Sequence, residues 1–248
     1  MTARVGLIIP SSNRMVEQEM VPAFPAGVTA HVTRLRMTGA NRLAFDQLLP
    51  RIEDAARALT DARCDVVAFH CTANSMEGGK TGEEQILATL ARAGAPRTTT
   101  TITAIQRAFG THGALRIVLV TPYSATTTEH EAEFLREAGY HVLSAQGFAL
   151  DGSDAYCATA PQFWHDRVIA AAHPDADAYL ISCANISVFG VIDKLEAPLG
   201  RPIVTSNQAV IWDALRLIGR RTPPRRLGRL FAMSSADKSV HVAPAGCG

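Results

Sequence analysis

The sequence predicts an α/β protein made of two similar parallel-sheet halves related by a pseudo-twofold axis, with the functional cleft between them. Three observations carry this. Apolar, β-branched runs alternate with stretches of helical periodicity, the pattern of parallel sheets covered by helices on both faces. Two stretches read as copies of each other, Phe69-His70-Cys71-Thr72-Ala73-Asn74-Ser75 and Ile181-Ser182-Cys183-Ala184-Asn185-Ile186-Ser187. The copies also keep one offset: Cys71 and Cys183, Ser75 and Ser187, and Pro10 and Pro122 all stand 112 residues apart. The halves are placed at residues 1–112 and 113–222, the closing helix being free to pack on the first, with 223–248 as a C-terminal tail.

The elements follow in order. Arg4 to Ile9 is a continuous apolar run that stops at Pro10 and reads as a buried strand. Ser11-Ser12-Asn13 comes next, ahead of a helical pattern over Met15 to Met20. Ser11 and Ser12 suit helix capping better than ligand binding, whereas Asn13 is a candidate for a substrate carboxylate. Val28 to Leu35 alternates and reads as a more exposed strand, followed by a helix over Phe45 to Leu59. Cys64 to Phe69 is a strand, and Gly78-Gly79 is a turn opening a helix over Glu83 to Ala93, with Lys80 solvated. Gly78-Gly79-Lys80-Thr81 fails as a phosphate loop, because Asn74 stands where that motif needs its first glycine. Arg97 to Thr101 leads as a strand end into a helix over Ile102 to Phe109.

The second half repeats the plan. Arg116 to Thr121 is a strand ending at Pro122-Tyr123, and a helix over Thr128 to Ala138 is stopped by Gly139. Tyr140 to Phe148 is a strand, Asp151 to Asp154 a loop and Gln162 to Ala172 a helix. The strand Ala178 to Ile181 leads to Cys183, after which Val188 to Leu195 is helical, Pro202 to Thr205 a strand and Gln208 to Ile218 the closing helix. Part of the basic, then small and polar tail beyond Arg220 is expected to be poorly ordered. Ligands of such sheets bind outside the carboxyl ends of the strands, and every polar junction named here lies on that edge.

Composition narrows the function classes. With 47% apolar and 19% charged residues among 248, the chain can bury a proper core. A formal charge of +1 gives no field to attract nucleic acid or an acidic membrane surface. The first apolar run is too short for a signal sequence, and no stretch approaches the roughly 20 apolar residues of a bilayer span, so a cytoplasmic location is expected. Five cysteines, an odd number without a close Cys-x-x-Cys pair, argue against a disulfide framework or structural zinc. No other group has metal-ligand spacing, and a homodimer or higher homo-oligomer is compatible with the sequence without being specified by it.

Chemistry concentrates at the paired cysteines. A cysteine where a strand meets a helix has N–H groups and the positive helix end beside it, which favour the thiolate. Buried free cysteines also serve as small hydrophobes, and Cys64, Cys157 and Cys247 are read so. Duplicate placement and polar flanks set Cys71 and Cys183 apart. Two thiols on opposite sides of a carbon next to a carboxylate can move a proton from face to face. Alternatively, one thiolate can add to an activated double bond while the other manages the proton. Both routes require tight binding of carboxylate oxygens, to which backbone N–H groups of the small or hydroxyl residues after each cysteine, Thr72 and Ser75 or Ala184 and Ser187, would contribute. His70 reads as a packed histidine and His130 as a solvated one. No Gly-x-Ser-x-Gly elbow and no Gly-x-Gly-x-x-Gly after a strand is present, leaving no support for a serine hydrolase or a nicotinamide or flavin enzyme.

From Val5 to about Gly219 the chain resembles the aspartate/glutamate racemase superfamily, in its branch of maleate cis-trans isomerases and arylmalonate decarboxylases. Gly6-Leu7-Ile8-Ile9-Pro10-Ser11-Ser12-Asn13, Val120-Thr121-Pro122-Tyr123 with Glu133-Phe134-Leu135, and Ser182-Cys183-Ala184-Asn185 carry the resemblance. So does the run from Val191 to Glu196 and on from Leu199 through Gly200-Arg201-Pro202-Ile203-Val204-Thr205-Ser206-Asn207-Gln208-Ala209. The resemblance implies two active-site cysteines at Cys71 and Cys183, carboxylate binding by Asn13 and Tyr123, an oxyanion site over Thr72 to Ser75, and no cofactor. It implies attack of Cys71 on the double bond of maleate, rotation, and release of fumarate, with Cys183 donating or accepting the proton. Two features depart from the isomerase pattern: Thr72 to Gly79 is polar, and Ser153 and Asp154 stand where an asparagine is expected. Arylmalonate decarboxylases lack the first cysteine. The expectation is therefore an isomerase of a small dicarboxylate, with a racemase or a decarboxylase of a malonate-type acid as runner-up and a carboxylate-binding sensor as the non-enzyme alternative.

Overall fold

The computed structural model describes residues 2–37, 43–220 and 227–232. It contains two four-stranded, wholly parallel sheets, β2-β1-β3-β4 and β6-β5-β7-β8. The first is built from β1 (Ala3–Pro10), β2 (Val28–Leu35), β3 (Val66–Phe69) and β4 (Thr98–Thr100), and the second from β5 (Arg116–Thr121), β6 (His141–Gly147), β7 (Ala178–Ile181) and β8 (Ile203–Thr205).

The strand alternation explains the layers. Val5, Leu7 and Ile9 of β1, Val66 and Ala68 of β3, Ile117 and Leu119 of β5 and Leu180 of β7 face one core shared by both halves. Ile8, Val67 and Phe69 face a second core under α1 (Phe45–Asp61) and α3 (Gly79–Arg92). Val118, Val120, Tyr179 and Ile181 face a third, under α7 (Pro161–Ala170) and α8 (Ile192–Leu199). Strands buried on both faces have no polar side to show, hence their unbroken apolar runs.

The duplication extends to register. Val5 pairs with Val66 as Ile117 pairs with Ala178, and Arg4 pairs with Thr29 as Arg116 pairs with His141. A bulge at Leu143 then shifts β6, so that Val118 meets Ser144. In the shared core, α4 (Thr101–His112) packs against the closing helix α9 (Ser206–Leu217), and both begin on a threonine cap, Thr100 and Thr205, whose hydroxyl accepts the N–H three residues on. The closing helix thus also lies against β3 and β4 of the first sheet.

Four expectations shift. The third helix begins at Gly79, not Glu83. Met15 to Met20 forms a five-residue π-helical turn over Val16–Met20. The segment expected as a loop at Asp151 to Asp154 opens α6 (Gly152–Ala158), a helix with no buried side chain and so no apolar periodicity to announce it. Within the expected tail, residues 227–232 are packed: Leu230 is fully buried at the start of α10 (Arg229–Ala232), and Gln208 Nε2 donates to the Leu227 carbonyl at 2.6 Å. The rest of the tail, Cys247 included, lies outside the described residues. None of the described helices is long and apolar enough to cross a membrane.

Candidate active site

In each sheet the chain turns to opposite sides at the central strands, and the crevice at the carboxyl ends of β1 and β3, or of β5 and β7, is the place for a ligand. Asn13 and Cys71 follow the first pair, and Tyr123 and Cys183 the second.

Cys71 is the residue before the short helix α2 (Thr72–Met76). Its thiol donates to Asn74 Oδ1 at 3.1 Å. Burial pushes the thiol up to about 12, against the pull of the Asn74 backbone N–H. Cys183 accepts the Asn185 backbone N–H at 3.3 Å. Burial takes it also to about 12, opposed by the Tyr123 hydroxyl, which hydrogen-bonds the sulfur, and by Asn185. A charge on Cys183 raises the Cys71 thiol, and charges on both cysteines raise Tyr123. The three groups therefore share one electrostatic environment, although Cys71 and Cys183 belong to different sheets.

Contacts between the halves fix this arrangement. The Cys183 N–H donates to Ser206 Oγ at 3.1 Å, and Ser206 Oγ is 2.9 Å from Thr72 Oγ1. His70, fully buried on the inner side of the strand, bridges Thr101 Oγ1 at 3.0 Å and Asn207 Oδ1 at 2.9 Å. Burial lowers its pKa to about 4, so the ring is neutral at pH 7 and serves as a strut, the packed histidine expected. Glu19 from the π-helical turn reaches Ser187 Oγ, the N–H groups of Val188 and Phe189, and Asn207 Nδ2.

The other predicted residues fall into distinct roles. Asn13 is buried, with Oδ1 accepting from the N–H groups of Met15 and Val16 and Nδ2 donating to the Ala184 carbonyl at 2.8 Å. It carries the capping role expected of the serines and ties the halves together, with one amide hydrogen left over. Ser11 is exposed at the end of β1, where its N–H donates to the Leu35 carbonyl. The Ser75 hydroxyl donates to the carbonyls of Cys71 and Thr72, and its N–H to Cys71, so Ser75 is committed inside α2. Thr72 and Ala73 keep first-turn N–H groups that have no acceptor within the helix. The Asn185 carboxamide accepts from the Arg14 N–H at 2.8 Å and from Cys157 Sγ at 3.2 Å.

That last contact sets Cys157 apart from the inert, small hydrophobe expected of it, since it is only half-buried and bonds a polar group. It lies on α6, bears electrostatically on Cys183 and Arg14, and shares that helix with Tyr156, whose ring meets Tyr123 edge-on at 6.0 Å. Cys64, by contrast, is buried in the outer core, its sulfur lying over Gly6, as an inert thiol should be. The four described cysteines are free, and no three His, Cys, Asp or Glu side chains among the described residues form a metal-binding group.

Two facing parallel α/β units, each with a thiol at the end of its third strand, define the class of the aspartate/glutamate racemase superfamily. Within it, the chain belongs to the arylmalonate decarboxylase family, whose model matches residues 5–231. It is 27% identical over 233 residues to the arylmalonate decarboxylase of Bordetella bronchiseptica, covering 93% of this chain and 97% of that protein. It is 25% identical over 243 residues to the maleate isomerase of Geobacillus stearothermophilus, covering 92% and 97%. A structure of a glycine-to-cysteine variant of arylmalonate decarboxylase, in its sulfate-associated form, matches with a TM-score of 0.84 at 27% identity, over 93% of this chain and 100% of that one.

Proposed function

We propose that the protein is a cofactor-independent cis-trans isomerase of a small dicarboxylate, with maleate as the substrate. The observation that supports the reading is the pair of strand-end thiols, Cys71 and Cys183, one from each half, whose segments are joined through the Cys183 N–H, Ser206 Oγ and Thr72 Oγ1. The similarity to curated maleate isomerases over more than nine-tenths of both chains supports it.

In this reaction the Cys71 thiolate adds to one alkene carbon, and the π electrons move onto the neighbouring carbon and its carboxylate. The former double bond is then single and rotates. When the electron pair returns, the double bond re-forms in the trans geometry and the thiolate leaves. Cys183 donates or accepts the proton at the carbanionic carbon, with the Tyr123 hydroxyl stabilising its sulfur when charged. The N–H groups of Thr72 and Ala73, and that of Ala184, are assigned to the carboxylates, where charge accumulates during the addition.

The test is proton NMR of maleate incubated with the protein in deuterated buffer. Fumarate formation is expected, and Cys71→Ala and Cys183→Ala should each lower the rate by about three orders of magnitude or more. Near-wild-type turnover in either variant would refute the paired-thiol mechanism. The second reading is decarboxylation of a malonate-type acid, favoured by the Bordetella relative. Carbon dioxide release from an arylmalonate without maleate turnover would select it, and Cys71 counts against it. Deuterium exchange at the α-carbon of a chiral acid would select a racemase. Binding of a carboxylate with no turnover at all would leave a sensor, a role that needs neither thiol.

A further inference from the structure

Glu131 is a buried acid that the mechanism above does not use. It lies on α5 (Ala125–Glu137), is 1% exposed, and has no hydrogen-bond partner on either carboxyl oxygen. Ser182, the residue before Cys183, is equally buried, and its hydroxyl, which makes no close hydrogen bond, is the one donor directed at that carboxyl. That hydroxyl opposes the effect of burial on the Glu131 carboxyl, and no cation joins it.

The duplication shows what is missing. Glu19 stands 112 residues earlier, and its oxygens take donors from Ser187, Val188, Phe189 and Asn207. The equivalent donors for Glu131 would come from Ser75, Met76 and Glu77, but that segment is coiled into α2, where Ser75 bonds its own turn. Aligning the Thr100 and Thr205 caps puts Ile102, an apolar residue, in the place of Asn207. One half thus satisfies its carboxylate with four donors, and the other half leaves it only the weakly placed Ser182 hydroxyl.

A charge on Glu131 would bear on Tyr123 and on Cys183, raising both. Of the elements packed on α5, α2 carries no ionisable side chain over Thr72–Met76, and β6 carries only His141, at its exposed start. We propose that Glu131 is a positioning residue that works as an uncharged acid, keeping the Tyr123–Cys183 pair free of fixed negative charge, and that loss of its proton disarms Cys183. Burial brings the carboxyl up to about 7, so the loss falls in the range where the protein would work. The inference rests on the paired-thiol reading in taking Cys183 as functional, but its test needs no substrate.

The test measures alkylation of Cys183 by iodoacetamide between pH 5.5 and 9.5, read peptide by peptide by mass spectrometry, in wild type and Glu131→Gln. Wild type should show a break near pH 7, where the rate stops rising in step with hydroxide. Glu131→Gln should lack the break and react about tenfold faster at pH 8.5, the effect of removing one like charge close to a thiol. Identical profiles would overturn the proposal, as would a Glu131→Gln protein whose Cys183 is slower at every pH. Should Glu131→Gln not fold, Glu131→Leu removes the unbonded carboxyl altogether and carries the same expectation. Absence of maleate turnover in wild type would sink the isomerase reading alone and leave this comparison standing.

Discussion

The site depends on a few polar groups whose ionisation is set by burial. Both thiols are held up by desolvation, and each is drawn back by a donor at its sulfur, the Asn74 N–H for Cys71 and the Tyr123 hydroxyl for Cys183. Tyr123→Phe removes one such donor while keeping the ring against Tyr156. Turnover of maleate near pH 7 should fall about 10- to 100-fold, and alkylation of Cys183 by iodoacetamide should slow in step, as expected for losing one hydrogen bond to a charged group; unchanged alkylation beside slowed turnover would show that Tyr123 acts on the substrate and not on the thiol. His70 makes a separate prediction about stability. Its folded-state pKa, about 4, lies below the ordinary 6.5, so the unfolded chain takes the proton first as the solution is acidified. Stability contributed by the neutral ring is present above pH 6.5 and is lost as pH falls toward 4. Melting temperatures across that window should drop less for His70→Gln, which keeps an amide between Thr101 and Asn207, than for wild type.

At the scale of elements, β6 and the turn after β5 are coupled through one glycine. A side-chain carbon on Gly147 would come within 2.7 Å of the Tyr123 carbonyl and also collide with Thr128. Backbone at that distance cannot yield without moving Tyr123 away from Cys183. Gly147→Ala should therefore cost about 1–3 kcal/mol in urea unfolding, the usual range for overpacking, and lower turnover together with stability; unchanged activity would dissociate β6 from the site. Much of the element plan was readable beforehand, because buried parallel strands and amphipathic helices write their burial into the local apolar pattern. The helix α6 was not readable, since none of its side chains is buried. With it went the position of Cys157, whose partner Asn185 is 28 residues away.

The whole molecule is two sheets joined by a shared core and a line of polar contacts. Asn13 to Ala184, Arg14 to Asn185, Glu19 to the 187–189 segment, Thr72 to Ser206 and His70 to Asn207 all cross between them. With α4 and α9 packed together, neither sheet can keep its inner face dry alone. The full chain should therefore unfold in urea in a single transition, coincident by far-UV circular dichroism and by fluorescence of Trp164, in the outer core of the second half, and Trp212, in the shared core. Two separated transitions would mean that the halves are independent folding units.

By itself the sequence determined the fold class, the duplication and the two strand-end thiols, because strand runs, helix periodicity and a constant offset of 112 residues are local features or simple repeats of them. Tertiary structure alone decided which polar residues remain available to a ligand. Ser75 has the right chemistry for carboxylates, yet its hydroxyl is committed to the carbonyls of its own turn. Asn13 and Asn185, by contrast, give their Oδ1 atoms to backbone N–H groups and, for Asn185, to Cys157, and keep amide hydrogens over. The same holds for Glu19 and Glu131, equivalent by repeat but opposite in satisfaction. The physical reason is that hydrogen bonding and desolvation act through space, on groups that approach each other only after two sheets far apart in sequence have packed.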